Sequence, residues 1–260
     1  MEMAPVTSPN EFAAPSSARP DRFSLRDRRI LIVGATGGIG NETAHVCACL
    51  GATVLLVDRE NPDSLANQIL RNGGRAQSFT CEITDRSAVE SVITALGDVD
   101  GAVLLAGYCP WDDWNDDEWD SAFERVININ LLGVVHVVRA CLPRMVLRRR
   151  GRIVLVSSVA ARMGGVKASP HYVAAKGGVA ALVKWLARKA APDGVLVNGV
   201  APGVTDTAMI ASQDLSVEAV PLKRMAAPAE IAWPIAFLCS DAASYVCGAT
   251  LDVNGGLYMN

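Results

Sequence analysis

The architecture of this chain follows from one stretch, Ile30-Leu31-Ile32-Val33-Gly34-Ala35-Thr36-Gly37-Gly38-Ile39-Gly40. Its first four residues form an apolar run of strand length, and a helical stretch over 38–50 begins within the glycines. A glycine-rich turn between a strand and a helix places backbone N–H groups at the helix N-terminus, where a pyrophosphate could bind. Glycine runs also close ordinary tight turns, so the interpretation depends on the rest of the chain.

Short apolar runs alternate with amphipathic helical stretches along the remaining sequence. The expected strands are 30–33, 53–57, 76–80, 101–105, 152–157, 195–200 and 250–253, and the expected helices are 38–50, 62–72, 85–96, 118–147, 171–191 and 228–239. Strands that are continuously rich in Val, Ile and Leu are typical of a parallel sheet that is covered on both faces. The pattern therefore predicts an α/β fold with a single doubly wound parallel sheet and helices on both faces.

Composition limits the class of protein. Of the 260 residues, half are apolar and a fifth are charged, which fits one soluble domain, expected over 27–260. Residues 1–26 are rich in Pro, Ser and Ala without apolar periodicity, so a flexible extension is expected there. The net charge of -3 and the pI near 5.7 give no general attraction to nucleic acid.

Membrane and metal sites are not expected. The apolar runs are shorter than the ~20 residues needed to span a bilayer, and no secretory signal is evident. The seven cysteines lack the spacing of a zinc site or a disulfide framework, so a reducing, cytoplasmic location is predicted. The three histidines, His45, His136 and His171, are not spaced as metal ligands, and structural roles are expected. The acidic stretch 111–119 is interpreted as the start of a helix, and the arginines of 148–152 as a solvated turn.

A carboxylate follows the second expected strand. Asp58 lies about 20 residues after the glycine-rich turn, where a carboxylate can accept hydrogen bonds from the hydroxyls of an adenosine ribose. It would repel a 2′-phosphate, although Arg59 beside it could soften that discrimination. Asp58 therefore favours NAD over NADP as the cofactor.

A phenol and an ammonium group share one face of the expected helix 171–191. Tyr172 and Lys176 are four residues apart, and a nearby positive charge lowers a phenol pKa toward the range useful for acid–base chemistry. The same spacing is common on helices without any catalytic role. Two serines, Ser157 and Ser158, end the strand 152–157, and Ser158 lies fourteen residues before Tyr172, a spacing similar to that between the catalytic serine and tyrosine of the family that the chain resembles.

Together these motifs resemble the short-chain dehydrogenase/reductase family of Rossmann-fold oxidoreductases, over residues 28 to about 258. The chain departs from the family pattern in three places: Val33 stands where the family has Thr, Glu82 where it usually has Asp, and Leu104-Leu105 where it usually has Asn-Asn. The last departure removes side-chain hydrogen bonds between neighbouring strands. The resemblance implies that the cofactor contacts Gly34, Thr36, Gly37, Gly38, Ile39, Gly40, Asp58, Arg59, Glu82, Ile83, Ala106, Gly107, Tyr172, Lys176, Pro202, Gly203, Val204 and Thr207.

The resemblance also implies catalytic roles. Tyr172 would exchange a proton with the substrate, Lys176 would lower its pKa and position the cofactor ribose, and Ser158 would bind the substrate oxygen, with Ser157 as the alternative. Asn130, in an Asn-x-x-Gly motif, would hold a water in a proton relay to the lysine. A mainly apolar substrate pocket is expected from Tyr108, Trp111, Ser158, Val159, Met163, Met209 and Ile210, with a modest lid over 208–222.

The implied activity is NAD(H)-dependent interconversion of a secondary alcohol and a ketone of small or medium size. Two alternatives stay open. A 3-oxoacyl reductase acting on acyl carrier protein or coenzyme A thioesters would prefer NADPH, and Asp58 argues against it. A dinucleotide-sensing or scaffold protein without turnover is suggested by Leu104-Leu105, and the intact catalytic residues argue against it. A homo-oligomer, a tetramer or dimer, is expected through helices 118–147 and 171–191.

Overall fold

Seven parallel strands form the central sheet of the protein. The structure is a computed structural model, and it describes residues 21–165, 167–213 and 215–260. The strand order is β3-β2-β1-β4-β5-β6-β7, and every pair is parallel. The strands are β1 (Arg29–Val33), β2 (Thr53–Asp58), β3 (Arg75–Thr80), β4 (Gly101–Leu104), β5 (Gly151–Val156), β6 (Val195–Pro202) and β7 (Thr250–Val253). The predicted doubly wound α/β fold is confirmed.

Helices cover both faces of the sheet. They are α1 (Gly38–Cys49), α2 (Asp63–Arg71), α3 (Arg86–Leu96), α4 (Trp119–Ile127), α5 (Gly133–Leu147), α6 (Ala160–Met163), α7 (Pro170–Ala190) and α8 (Pro228–Cys239). A π-helical segment, Asn128–Leu132, joins α4 to α5 without a break, and short 3₁₀ turns follow α7 and α8. The expected single helix 118–147 is thus a continuous helical stretch that changes its hydrogen-bond pattern near Asn130.

The core has two layers because successive strand residues point to opposite faces. On β1, Leu31 and Val33 belong to a cluster with α3, α5 and α7, whereas Ile30 and Ile32 belong to a cluster with α1, α2 and α8. All four side chains are essentially buried. A continuous apolar run predicts a strand of this kind, which is buried on both faces of the sheet.

The folded part begins earlier than residue 27. Leu25 is fully buried, and its N–H donates to the carbonyl of Leu50 at 2.8 Å. The ring of Phe23 packs on Phe237 with 6.0 Å between centroids. Residues 21–26 of the expected flexible extension are therefore packed against the domain, and residues 1–20 lie outside the described residues.

The helical stretch Trp119–Leu147 is long and apolar enough to cross a membrane by length and composition, with a mean hydropathy of 1.6 over its most apolar window. It packs instead within the fold, where α5 contacts α3 and β5, and α4 contacts α7. These contacts bury 39% of that apolar window, as expected for a helix with one face toward the core.

The order in which strands are added to the sheet reverses between β1 and β4. From β1 the chain winds outward through β2 and β3, and then returns to β4 on the other side of β1. Ligands of such sheets bind beyond the carboxyl ends of the strands at this switch point. The turns after β1, β2, β4, β5 and β6 all lie at that edge.

Candidate active site

The glycine-rich turn leads from β1 directly into α1. Gly34 has a φ of +86°, and a Cβ there would lie 2.4 Å from the backbone nitrogen of Ala106, so this position requires glycine. Gly37 is the N-cap of α1; it offers no side chain to cap the helix, and the first turn carries no acidic residue. The positive end of this twelve-residue helix is therefore left for an anion.

Asp58 is held in place at the end of β2. Its Oδ2 accepts hydrogen bonds from the N–H and the hydroxyl of Thr36, at 2.9 and 2.8 Å. Its Oδ1 accepts a longer bond, 3.3 Å, from the N–H of Glu60. The neighbouring guanidinium of Arg59 is exposed and lies 3.7 Å from the carboxylate of Glu60. A carboxylate thus stands fixed beside the glycine-rich turn, as expected.

Tyr172 and Lys176 lie on one face of α7. The Lys176 ammonium is 5.7 Å from the centre of the Tyr172 ring and donates to the carbonyl of Val156, at the end of β5, at 3.0 Å. Lys176 is 4% exposed. Burial lowers its pKa from the ordinary 10.5 to about 8 because a charged amine loses hydration there.

The two serines after β5 have different environments. Ser157 is buried and donates through its hydroxyl to the carbonyl of Lys176 at 2.8 Å. Ser158 is hydrogen-bonded to the Tyr172 side chain, and its Oγ accepts from the N–H of Ala160 at 3.1 Å. The geometry therefore favours Ser158 over Ser157 as the hydroxyl next to the phenol.

Asn130 is fully buried in the π-helical segment. Its amide donates to the carbonyls of Tyr108 and Val126, at 2.7 and 3.0 Å, and its Oδ1 accepts from the N–H of Tyr108 at 3.2 Å. A Cβ placed on Gly107 would fall 3.0 Å from Asn130 Oδ1 and 3.4 Å from Lys176 Nζ, so both side chains lie close against this glycine. The Asn130 amide fixes the loop after β4, and it does not line the cavities described next.

Two adjoining cavities occupy the switch point. The larger has a volume of about 550 Å³ and contains the glycine-rich turn together with Ser158, Tyr172 and Lys176. The smaller, about 230 Å³, contains Thr36, Asp58, Arg59, Glu82 and Ile83. Gly34, Gly37 and Gly107 line both. Every residue expected at the cofactor site lines one or both of these cavities.

Comparison with known proteins decides the family. Residues 34–258 match the family described as "Enoyl-(Acyl carrier protein) reductase". The chain is 35% identical over 247 residues to the 3-oxoacyl-[acyl-carrier-protein] reductase FabG of Thermotoga maritima, with 90% of this chain and 98% of that protein covered. It is 37% identical over 243 residues to the cis-4-hydroxycyclohexanecarboxylate dehydrogenase of Sinomonas cyclohexanicum, at 90% and 97% coverage. The chain belongs to the short-chain dehydrogenase/reductase family.

A solved structure agrees with this assignment. A chain from Beutenbergia cavernae, described as an NAD(P) dependent gluconate 5-dehydrogenase with bound NADP, matches with a TM-score of 0.86 and 32% identity, and 91% of this chain and 98% of that one are covered. The protein is therefore an oxidoreductase of the short-chain dehydrogenase/reductase family that acts on hydroxyl or keto groups of small molecules, for which a dinucleotide cofactor is expected.

The residues present in this short-chain dehydrogenase/reductase fit a nicotinamide dinucleotide. The uncapped N-terminus of α1 faces the larger cavity and suits a pyrophosphate. Asp58, fixed by Thr36, lines the smaller cavity and suits ribose hydroxyls. The larger cavity also reaches Pro202, Gly203, Val204 and Thr207 after β6.

One expected pocket residue lies elsewhere. Tyr108 lines the smaller cavity near Asp58 instead of the larger one, because its backbone is held by Asn130, and the guanidinium of Arg125 lies 4.6 Å from the centre of its ring. The other expected pocket residues line the larger cavity: Trp111, Ser158, Val159, Met163, Met209 and Ile210. The cavity also has walls that the sequence motifs did not indicate: Cys109, Ala168, Leu215, Ala219, Val220 and Leu257.

The phenol pKa moves in the direction opposite to the expected one. Burial raises the pKa of Tyr172 above its ordinary value, the nearby Cys109 adds to the increase, and the hydrogen bond from Ser158 opposes it. The Lys176 ammonium, which donates to the Val156 carbonyl, does not offset this increase. In the protein alone, Tyr172 therefore holds its proton at neutral pH.

Leu104 and Leu105 compensate for the missing amides through packing and backbone bonds. Leu104 is 2% exposed in the core and pairs in register with Leu155 of β5. The N–H groups of Leu105 and Ala106 both donate to the carbonyl of Val33, at 2.8 and 3.0 Å. The turn after β4 is thus tied to β1 without side-chain amides.

The acidic stretch 111–119 does more than start a helix. α4 begins only at Trp119, and Asp112 lies in the preceding loop, 2.8 Å from the imidazole of His171. His171 immediately precedes Tyr172, and its ring is completely buried. The sequence motifs gave no indication of this contact.

Proposed function

We propose that this protein interconverts a secondary alcohol and a ketone with NAD(H), using Tyr172 as the general acid and base. The observation that carries the proposal is the meeting of Ser158, Tyr172 and Lys176 in the same cavity as the glycine-rich turn. The cavity then contains an acid–base group, a hydroxyl that can bind the substrate oxygen, and a site for an anion.

Ser158, Tyr172 and Lys176 have separate roles in this reaction. Ser158 donates a hydrogen bond to the carbonyl oxygen of the substrate and holds it beside the Tyr172 hydroxyl. Tyr172 donates its proton to that oxygen during reduction and removes it during oxidation. When bound, the nicotinamide supplies or accepts the hydride. Lys176 keeps its ammonium beside the phenol and contributes to binding of the cofactor ribose.

Asn130 has an indirect part in this scheme. Its side chain holds the backbone of Tyr108 and thereby the loop that carries Gly107 beside the Lys176 ammonium. We propose that Asn130 supports a water-mediated proton relay to Lys176 from the π-helical segment, in which backbone carbonyls depart from the regular α-helical bonding pattern.

NAD(H) is the proposed cofactor. Asp58 is oriented by Thr36 toward the smaller cavity, and a second carboxylate, Glu60, follows at the same turn. Two carboxylates disfavour a 2′-phosphate, and the Arg59 guanidinium is close to Glu60. The bound NADP of the Beutenbergia cavernae chain makes this preference the first point to test.

A small or medium apolar substrate is proposed. The larger cavity of about 550 Å³ is walled by Trp111, Val159, Met163, Met209 and Ile210. Because the cofactor would take part of this volume, the space that remains beside these walls suits a substrate of small or medium size. The 37% identical relative that oxidises a hydroxycyclohexanecarboxylate makes a cyclic ketone or alcohol a suitable first compound.

Reduction of 3-oxoacyl thioesters is the second candidate. Curated relatives with this activity cover nearly the whole chain at 35% identity, which supports it. Among the described residues that line the larger cavity, the charged side chains other than Lys176 are one basic and one acidic, Lys167 and Glu218, which gives little attraction for an acidic acyl carrier protein. The sensor or scaffold alternative has less support, because Leu104 and Leu105 leave the turn after β4 well anchored.

We also propose a homo-oligomer, a dimer or tetramer, that forms through α4, α5 and α7. Apolar side chains are exposed on α4, on the π-helical segment that joins it to α5, and on α7, with Phe123 38%, Leu132 43% and Trp185 59% exposed. Large apolar groups that are exposed together commonly mark an interface.

A cytoplasmic location is proposed as well. All seven cysteines are unpaired, and five of them are buried. Unpaired cysteines in this number suit a reducing compartment.

A panel assay tests the proposed function. NADH and NADPH oxidation is followed at 340 nm with cyclohexanones, linear ketones, sugar lactones and acetoacetyl coenzyme A, and the reverse reaction with the matching alcohols. We expect the highest kcat/KM with NADH and an apolar ketone. A higher value with NADPH and the thioester would establish the second candidate, and cofactor binding without turnover across the panel would favour the sensor.

A further inference from the structure

One carboxylate joins the loop between β4 and α4 to the start of α7. Asp112 Oδ2 lies 2.8 Å from Nε2 of His171, and Asp112 Oδ1 accepts a hydrogen bond from the hydroxyl of Ser169. Ser169 is the N-cap of α7, yet its side chain does not cap that helix. A serine at this position ordinarily bonds to the first N–H groups of its own helix. Its hydroxyl is engaged with the Asp112 carboxylate instead.

This contact is buried. His171 has no exposed surface, Ser169 is 6% exposed, and the Asp112 side chain is 15% exposed. The indole of Trp119 stacks on the imidazole with 5.5 Å between ring centroids. Among the residues that the structure describes, Asp112 is the only hydrogen-bond partner of the imidazole, since Nδ1 has none. Loss of Asp112 would leave the buried ring without any polar partner.

The carboxylate is ionised in this environment. Burial by itself would raise the pKa of Asp112, but the hydrogen bonds from Ser169 and His171 outweigh burial and lower the pKa below its ordinary value. Hydrogen bonds to an ionised group are about twice as strong as neutral ones. The contact is therefore a strong link between two segments that are 59 residues apart in sequence.

Both ends of the link adjoin the proposed active site. Trp111 precedes Asp112, lines the larger cavity and donates through Nε1 to the carbonyl of Met209 at 3.3 Å. Tyr172 follows His171 directly. A displacement of Asp112 would move the Trp111 wall relative to the phenol and would also loosen the segment after β6 at Met209.

We propose that Asp112, anchored by Ser169 and His171, is a positioning residue that holds the Trp111 wall of the substrate cavity at a fixed distance from the Tyr172 hydroxyl. This inference rests on the proposed function, because it assigns the Trp111 side of the larger cavity to the substrate. The consequence is selective: a ketone that fills the cavity is held against the phenol by Trp111, whereas a ketone much smaller than the cavity makes little use of that wall.

Asp112→Asn is the first test, with Asp117→Asn, an exposed carboxylate of the same loop, as the matched control. We expect Asp112→Asn to lower kcat/KM for a substituted cyclohexanone at least about tenfold, mainly through kcat, because misplacement of the bound ketone by 1 Å can cost about a hundredfold in rate. The effect on a three- or four-carbon ketone should stay within about threefold, and NADH affinity should not change. Equal losses for both ketones, or a loss of NADH affinity, would overturn the positioning role.

His171 provides the rescue test. The side chain of His171→Gln keeps an N–H donor for Asp112, whereas His171→Leu has none. We expect His171→Leu to behave like Asp112→Asn and His171→Gln to recover at least about a third of the wild-type kcat/KM. The double variant Asp112→Asn/His171→Leu should be no worse than the poorer single variant, because both changes break one link. Additive losses would overturn the proposal.

A measurement without substrate separates this inference from the proposed function. The fluorescence of Trp111, obtained as the difference between each protein and its Trp111→Phe version, should be quenched more strongly by acrylamide in Asp112→Asn than in wild type or Asp117→Asn. If wild type turns over none of the ketones but quenching rises as expected, the proposed function fails and the link stands. Unchanged quenching would overturn the link whatever the activity. Should Asp112→Asn not fold, the pair His171→Gln and His171→Leu gives the same comparison.

Discussion

Replacement of Lys176 by Met should change how the stability of the protein depends on pH. Lys176 has a pKa of about 8 in the folded protein and an ordinary value of 10.5 when exposed. Between these two values the unfolded chain binds more protons at this residue than the folded chain does. Stability therefore rises with pH in this window because the buried ammonium is no longer required in the folded state.

The size of the effect follows from the two pKa values. One pH unit of difference corresponds to about 1.4 kcal/mol, so a charged Lys176 costs the folded state about 3 kcal/mol at pH 7. The cost is constant below pH 7 and falls by roughly 1 kcal/mol between pH 7 and pH 9 as the folded residue loses its proton. Lys176→Met has no such dependence on pH. At pH 7 its free energy of unfolding should exceed that of wild type by the cost of the buried charge, reduced by about 1 kcal/mol for the lost hydrogen bond to the Val156 carbonyl.

Urea unfolding without added nucleotide at pH 6, 7, 8 and 9 measures this directly. Lys184→Met is the control, because Lys184 is exposed on the same helix. The free energy of wild type minus that of Lys176→Met should be flat from pH 6 to 7 and rise above pH 7, and no such rise should occur with the control. If the difference between wild type and Lys176→Met is the same at all four pH values, the burial argument for Lys176 is refuted.

Four further outcomes are expected. Tyr172→Phe should lower kcat at least about 10²-fold with little change in NADH affinity, because only the proton-transfer group is removed, and retention of a tenth of wild-type kcat would exclude Tyr172 as proton donor. Asp58→Ala should improve NADPH affinity relative to NADH by at least about tenfold, or about 1.4 kcal/mol, by titration; an unchanged ratio would contradict the ribose assignment. Gly34→Ala should destabilise the protein more than Gly73→Ala in urea unfolding, since both have positive φ but only Gly34 adds a 2.4 Å contact. Light scattering should show a dimer or tetramer at micromolar concentration that Trp185→Glu dissociates, and a wild-type monomer would count against the proposed interface.

The fold could be predicted because its signals are local. The apolar run Ile30–Val33 and the glycines after it define a strand, a turn and a helix start within a few residues, and the same alternation recurs along the chain. Asp58 could be placed for the same reason, since the end of β2 lies at the same sheet edge as the turn after β1. Element bounds differ from the expected ones by only a few residues.

The parts that could not be predicted depend on tertiary contacts. Nothing near Asp112 in the sequence indicates that its partner is His171, and burial of the phenol, which raises the Tyr172 pKa, arises only when the cavity walls assemble. Tyr108 faces the smaller cavity because the amide of Asn130, 22 residues away, holds its backbone. The packing of Leu25 against the domain was missed because a single apolar residue in a polar segment has no periodicity.

Two hydrogen bonds of opposite direction join the end of β5 to α7, and they hold the reacting groups independently of the other cavity walls. Ser157 donates to the carbonyl of Lys176, while Lys176 donates to the carbonyl of Val156, so the strand end and the helix are fastened in both directions. Ser158 and Tyr172 are carried by these two elements and therefore move as one rigid unit. The segment 208–213, whose Met209 and Ile210 wall the cavity from the far side of β6, can be exchanged to admit a different substrate while the reacting groups keep their geometry.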